Sequence, residues 1–208
     1  MNPPHSPAGP ALSAEDLAGR LRGLAPSCGP VRLIGVDGHA GSGKSTFARR
    51  LARALGGAPV LHLDDLASHE APFDWTGRLG AQVLEPFARG AAASYTPYDW
   101  VERRYGAPRP LAAARHVLVE GVGAGRRALR PWLAYLWWMD LADERSWARG
   151  RERDGPELAD FWDGWVRDER RHFAGDPSRP FADALVRERG QGYEVRKRDD
   201  PGTPAATP

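Results

Sequence analysis

Val31-Arg-Leu-Ile-Gly-Val-Asp37 leads straight into Gly38-His-Ala-Gly-Ser-Gly-Lys44-Ser45-Thr46. An apolar run of strand length enters a loop of the form G-x-x-x-x-G-K-S/T, and Phe47-Ala-Arg-Arg-Leu-Ala-Arg-Ala-Leu55 continues at helical spacing. Strand, phosphate loop and helix thus follow one another in the order this motif requires. The glycines allow the backbone N–H groups of Gly38, His39, Ala40, Gly41, Ser42, Gly43, Lys44, Ser45 and Thr46 to turn toward a polyphosphate. The helix N-terminus adds the positive end of its dipole. The motif predicts Lys44 at the β- and γ-phosphates and the Ser45 hydroxyl on Mg²⁺. Lys44 and Lys197 are the only lysines in a chain whose other basic side chains are Arg. A compact ammonium has been kept where a planar guanidinium would fit badly among phosphates.

The rest of the chain supplies the frame for that loop. Its 208 residues suffice for one domain with a substantial core. The net charge of +2 is too small an excess to argue for nucleic acid. A single cysteine, Cys28, excludes an internal disulfide framework and fits a reducing cytoplasm. No apolar run reaches the length of a membrane span, and the Met1-Asn-Pro-Pro-His start has no signal-peptide pattern, so a cytoplasmic protein is expected. Residues 1–12 and 196–208 read as poorly ordered tails around a single domain, 13–195.

Within that domain Ser13 caps a helix carrying Leu17, Leu21 and Leu24. Further strands are expected at 58–63, 116–120, 133–139 and 182–186, and helices at about 76–89, 143–153 and 156–174. Strands alternating with helices imply an α/β fold, a five-stranded parallel sheet with helices on both faces. Ligands in such a sheet gather beyond the carboxyl ends of the strands. Three strands end in functional groups there: the phosphate loop, Asp64-Asp65 and Glu120. One carboxylate can serve Mg²⁺ and another can take the proton of an attacking hydroxyl. Arg145, Arg149 and Arg153 recur every four residues, along one side of a helix. They either close over a triphosphate or form a solvated face paired with Asp143, Glu144 and Glu152. The histidines at 39, 62, 69, 116 and 172 show no metal-ligand spacing.

From residue 31 to about 187 the chain resembles the uridine kinase and phosphoribulokinase branch of P-loop kinases. The resemblance rests on Ile34 to Ser45, Leu63-Asp64-Asp65-Leu66, Phe73-Asp74, Tyr98-Asp99-Trp100, Val119-Glu120-Gly121 and Phe181 to Val186, in that order. It implies a P-loop NTPase fold with an Arg-bearing helical lid at about 143–157. It further implies Asp64 as the base for the acceptor hydroxyl, Asp74 on sugar hydroxyls, Tyr98-Asp99-Trp100 along a nucleoside pocket, Glu120 on the magnesium side and Arg153 as a lid arginine. Arg149 joins Arg153 in stabilising the transferring phosphoryl group. The chain departs from the pattern at Ala67, where the family has Tyr, and at Arg103, where uridine kinases have His. Arg103 in the acceptor pocket would suit an acceptor with its own negative charge.

The expectation is therefore an ATP- and Mg²⁺-dependent kinase acting on the hydroxyl of a small molecule, a nucleoside first among the candidates. No nucleic-acid or membrane partner is expected, and a homo-oligomer is left open. Two other readings fit the loop: a P-loop ATPase or nucleotide switch that drives a partner, and a catalytically lapsed nucleotide-binding protein.

Overall fold

A computed structural model describes residues 11–197. Helix α1 (Ala14–Arg22) starts at a capping box in which Ser13 and Asp16 satisfy each other's backbone N–H groups. Strand β1 (Arg32–Asp37), the phosphate loop and α2 (Lys44–Ala54) come next, followed by β2 (Val60–His62) and a 3₁₀ turn at Leu63–Asp65. The helix expected at 76–89 is α3 (Thr76–Leu79), a π-helical turn (Gly80–Leu84) and α4 (Glu85–Ala88) in continuous succession. Four short strands form two small ribbons: β3 (Ala93–Tyr95) pairs with β6 (Arg109–Leu111), and β4 (Tyr98–Asp99) with β5 (Arg104–Tyr105). Then come β7 (His116–Glu120), β8 (Tyr135–Met139), α5 (Asp143–Asp154), α6 (Ala159–Gly175), β9 (Ala184–Arg189) and β10 (Gly192–Lys197).

The main sheet has the order β10-β9-β8-β1-β7-β2, and its first five strands in sequence, β1, β2, β7, β8 and β9, are parallel. β1 lies between β7 and β8, and helices cover its side chains on both faces. Alternation along the strands divides them between two cores. Leu33, Val117 and Val119 face Trp75, Leu79, Val83 and Phe87 of the α3–α4 side. Ile34, Val36 and Leu118 face Leu17, Leu21, Phe47 and Leu51 of α1 and α2. A sheet that must be apolar on both faces accounts for the unbroken hydrophobic runs in these strands.

The sixth strand corrects the expected count of five. β10 runs antiparallel to β9 and closes one edge. Its polar residues Glu194, Arg196 and Lys197 hide it from a search for apolar runs, because only the Tyr193 side of this strand packs inward. The expected tail boundaries move with it. Leu12 exchanges backbone hydrogen bonds with Tyr193, and Arg196 and Lys197 belong to β10. Residues 1–10 and 198–208, the remainder of the two expected tails, lie outside the described residues. Cys28 is buried, and among the described residues no helix is long and apolar enough to cross a membrane.

Tyr193 gives this edge its energetic weight: its ring meets Phe47 of α2 edge-on at 4.9 Å and its hydroxyl accepts from Arg50 at 3.0 Å. Tyr193→Ala should cost about 3–5 kcal/mol, as large aromatic deletions in cores do. Urea unfolding followed by far-UV circular dichroism measures it, and an unchanged midpoint would place β10 outside the cooperative unit.

Candidate active site

The site is built at the carboxyl ends of β1, β2 and β7. Asp37 closes β1 with no solvent exposure, and its carboxylate accepts from the backbone N–H of Gly38 at 2.7 Å, Gly123 at 2.9 Å and Gly125 at 2.7 Å. Burial pushes its pKa up against the pull of those donors and of Lys44. Asp37 thereby holds the start of the phosphate loop and the loop after β7 in one arrangement. Gly43 caps α2 with φ +98°, and Gly41, at φ +83°, lies so close to α5 that a Cβ would stand 2.0 Å from the Ser146 carbonyl oxygen. Only glycine tolerates both conditions at position 41. The Lys44 ammonium is almost buried and donates to the His39 carbonyl at 2.9 Å, folded back over its own loop. The Ser45 and Thr46 side chains open to solvent at the first turn of α2.

The paired carboxylates after β2 have different surroundings. Asp65 accepts from the Tyr95 hydroxyl at 3.0 Å. Asp64 is exposed, while its backbone carbonyl accepts from the Trp100 indole at 3.1 Å. The surrounding protein desolvates Asp64 and raises its pKa, with the Glu120 charge adding to the rise and Lys44 and His62 opposing it. Glu120 ends β7 nearly buried and is hydrogen-bonded to His62 Nδ1. The β2–β7 register sets His62 directly beside Glu120, and that hydrogen bond raises the His62 pKa.

The aromatic segment after β3 stands over this region. The Tyr98 hydroxyl lies 3.1 Å from His69 Nδ1, Tyr105 donates to the Leu66 carbonyl at 3.4 Å, and Trp100 meets both His69 and Phe161 of α6. Asp99 accepts from the N–H groups of Val101 and Glu102 and so shapes the β4–β5 turn. Arg103 sits in that turn at φ +52°, exposed and 3.9 Å from Glu70. Asp74 is exposed next to Phe73, whose carbonyl accepts from Arg126 at 2.8 Å. Ala67, in place of an aromatic residue, is buried in the core beneath.

The arginines of α5 are divided. Arg145 and Arg149 line a cavity of about 310 Å³ with Ser42, Leu141 and Glu188. Among the described residues neither pairs with a carboxylate, so the row reads as a cationic wall there and not as an ion-paired face. Asp140, which also lines the cavity, is surrounded by Arg179, Arg187 and Arg196 at 3.1, 3.5 and 3.8 Å. Arg153 makes two hydrogen bonds to Asp154, at 2.6 and 2.8 Å, which raise its pKa, with a smaller contribution from the Asp64 charge.

Three residues of the site carry no role in the sequence reading. Asp37 had a legible signal, a carboxylate ending an otherwise apolar strand immediately before the loop. His62 had half of one, since alternation on a strand brings it level with Asp64, but its pairing with Glu120 depends on the β2–β7 register. Glu169 of α6 had none: it is fully buried and accepts from His39 Nδ1 at 2.8 Å and from the Ala40 N–H at 3.2 Å, some 130 residues away in the chain.

As to a metal, among the described residues no three His, Cys, Asp or Glu side chains converge as a protein-only site. The donor set nevertheless suits Mg²⁺, which keeps several waters and takes one or two carboxylates plus substrate phosphates. Ser45 stands in the first turn of α2 with its side chain exposed, and Glu120 ends the strand beside β1 with one oxygen beyond the one hydrogen-bonded to His62.

No protein-family model matches the chain, and no curated protein matches it in sequence. Solved structures do share its fold. A protein described as a possible uridine kinase from Bacillus stearothermophilus superposes with a TM-score of 0.58 at 16% identity, over 83% of this chain and 96% of that one. The YGR205w protein gives 0.53 at 10% identity, over 90% and 99%. A protein provisionally assigned as a fructose transport system kinase from Silicibacter sp. TM1040 gives 0.50 at 22% identity, over 66% and 79%. The chain shares the fold of these structures, in agreement with the parallel α/β fold expected from the sequence.

His172 of α6 offers a pH test of the site's packing. Burial, together with the Arg126 charge, lowers its pKa from 6.5 to about 4, and its ring stacks on Phe73 at 4.8 Å. The folded chain holds this imidazole neutral where the unfolded chain protonates it, so stability should fall as pH drops from about 6.5 toward 4. Thermal melts across that range should show the decline, and His172→Gln should flatten it.

Proposed function

We propose that this chain is an ATP- and Mg²⁺-dependent phosphotransferase that moves the γ-phosphate to a hydroxyl of a small molecule, with a nucleoside first among the acceptors. The observation that carries this reading is the separation of Asp64 from Asp65. One carboxylate is taken by Tyr95, while the other is exposed, has no side-chain hydrogen bond among the described residues and has a pKa raised by desolvation and by the Glu120 charge. A base must be within reach of its proton and have a pKa brought toward the working pH, and a carboxylate held for structure alone has no need of either.

In this reading the amides from Gly38 to Thr46 bind the phosphates, with Lys44 leaving the His39 carbonyl for the β- and γ-oxygens. The base and ribose of ATP lie toward the cavity bordered by Ser42, Arg145 and Arg149. Ser45 and Glu120 would hold Mg²⁺, which would supply neutralisation of phosphate charge. The acceptor lies against Tyr98 and Trp100, with Asp74, Asp99 and Arg103 on its outer side. Asp64 takes the proton of the acceptor hydroxyl as its oxygen bonds to the γ-phosphorus and the bond to the ADP oxygen breaks. Arg149 and Arg153 of the α5 lid, which extends through residue 157, meet the charge on the transferring group. Arg153 exchanges its Asp154 partner for that charge as the lid closes. The fold likeness to kinases supports the reaction class, and the aromatic lining around Tyr98 supports a flat acceptor.

Purified protein should release ADP in proportion to an added acceptor across a panel of nucleosides, vitamins and phosphosugars. Asp64→Asn should lower turnover by about 10²–10⁴ while leaving ATP binding within twofold by calorimetry. Undiminished acceptor phosphorylation in Asp64→Asn would remove Asp64 as the base, and hydrolysis that depends on a protein partner but on no acceptor would replace the kinase by a nucleotide switch.

A further inference from the structure

The phosphate loop is held on its inner side by Asp37, yet its outer side must also be fixed if flexible glycines are to present their amides in one arrangement. The fully buried Glu169 carboxylate lies on that outer side. One oxygen accepts from His39 Nδ1 at 2.8 Å and from the Trp147 indole at 3.0 Å. The other accepts from the Ala40 N–H at 3.2 Å and from the Trp165 indole at 2.7 Å. Four donors from the loop, α5 and α6 therefore converge on one carboxylate. The donors are aimed by packing: the His39 ring meets Trp138, Trp147 and Phe173 edge-on, at 5.4, 5.7 and 5.1 Å.

We propose that Glu169 is the positioning residue of the phosphate loop, the anion that fixes His39 and Ala40 from α6 and joins the α5 lid to them. The proposal rests on the reading of Gly38–Thr46 as the triphosphate site. His39 links the two sides physically, since its ring is bound by Glu169 while its carbonyl receives Lys44. The same carboxylate reaches the acceptor side through Trp165, whose ring packs on Phe73 at 5.2 Å, next to Asp74. A buried carboxylate satisfied only by N–H donors is a demanding arrangement, because each donor left unmatched after its loss remains desolvated. Such a group holds geometry more strictly than an apolar contact of the same size would.

Glu169→Gln tests this in the full chain. An amide side chain offers one acceptor oxygen to four donors and turns its own NH₂ toward another N–H. Hydrogen exchange of the ligand-free protein should become about tenfold faster at residues 38–45 while peptides in α1 and β8 keep their rates. The dissociation constant for Mg·ATP should rise about tenfold. Trp147→Phe, which removes one donor and leaves the carboxylate on His39 and Ala40, should leave the loop's exchange at the wild-type rate. Unchanged exchange at 38–45 in Glu169→Gln, or an equal acceleration throughout the chain, would overturn the proposal. If Glu169→Gln does not fold, Glu169→Asp, which withdraws the carboxylate by one methylene, carries the same comparison with the same deciding outcomes. Should wild-type protein bind no nucleotide, the phosphotransferase reading falls, while the exchange measurement still decides the role of Glu169.

Discussion

The buried Asp37 carboxylate is the interaction on which the site depends. It ends the central strand of the sheet and satisfies three backbone N–H groups from two different loops. A carboxylate in that position is costly to bury, and its donors offset the cost only while both loops keep their places. The phosphate loop and the loop after β7 are therefore set against each other before any ligand arrives. For the proposed phosphoryl transfer this is the preorganisation required, since such catalysis is mostly positioning and charge stabilisation.

Around that anchor the charges are arranged by distance from the loop. Lys44 is folded inward and almost buried, Arg153 is paired with Asp154 at the lid, and Arg145 and Arg149 face a cavity next to Ser42. The carboxylates are graded in the same way. Asp37 and Glu169 are buried and hydrogen-bonded, Glu120 is half committed to His62, and Asp64 is exposed without a side-chain partner among the described residues. A site whose acids differ this much in environment can assign them different tasks: structure, metal and proton.

Much of the fold was legible because its signals are local. The apolar runs at β1, β7 and β8 are continuous because the sheet is covered on both faces, and Ser13 and the Gly-rich loop mark helix starts by short-range hydrogen bonding and dihedral demand. β10 escaped because it is an edge strand with one buried side, and the β3–β6 and β4–β5 ribbons escaped because two or three residues carry no period. The ambiguous row Arg145, Arg149 and Arg153 could not be resolved by spacing. Spacing defines a face of a helix, whereas the cavity beside Ser42 and the Asp154 pairing depend on what that face meets.

By itself the sequence determined a parallel α/β sheet, a phosphate loop carried between β1 and α2, and carboxylates at the ends of the strands that follow. Each of these is written within a few residues, in dihedral preferences and hydrophobic alternation. Only the tertiary structure decided that Asp65 and not Asp64 is taken by Tyr95, that His62 lies beside Glu120, and that Glu169 of α6 grips His39 and Ala40. Those choices rest on strand register and helix packing, which join residues tens to more than a hundred positions apart and leave no local trace in either partner.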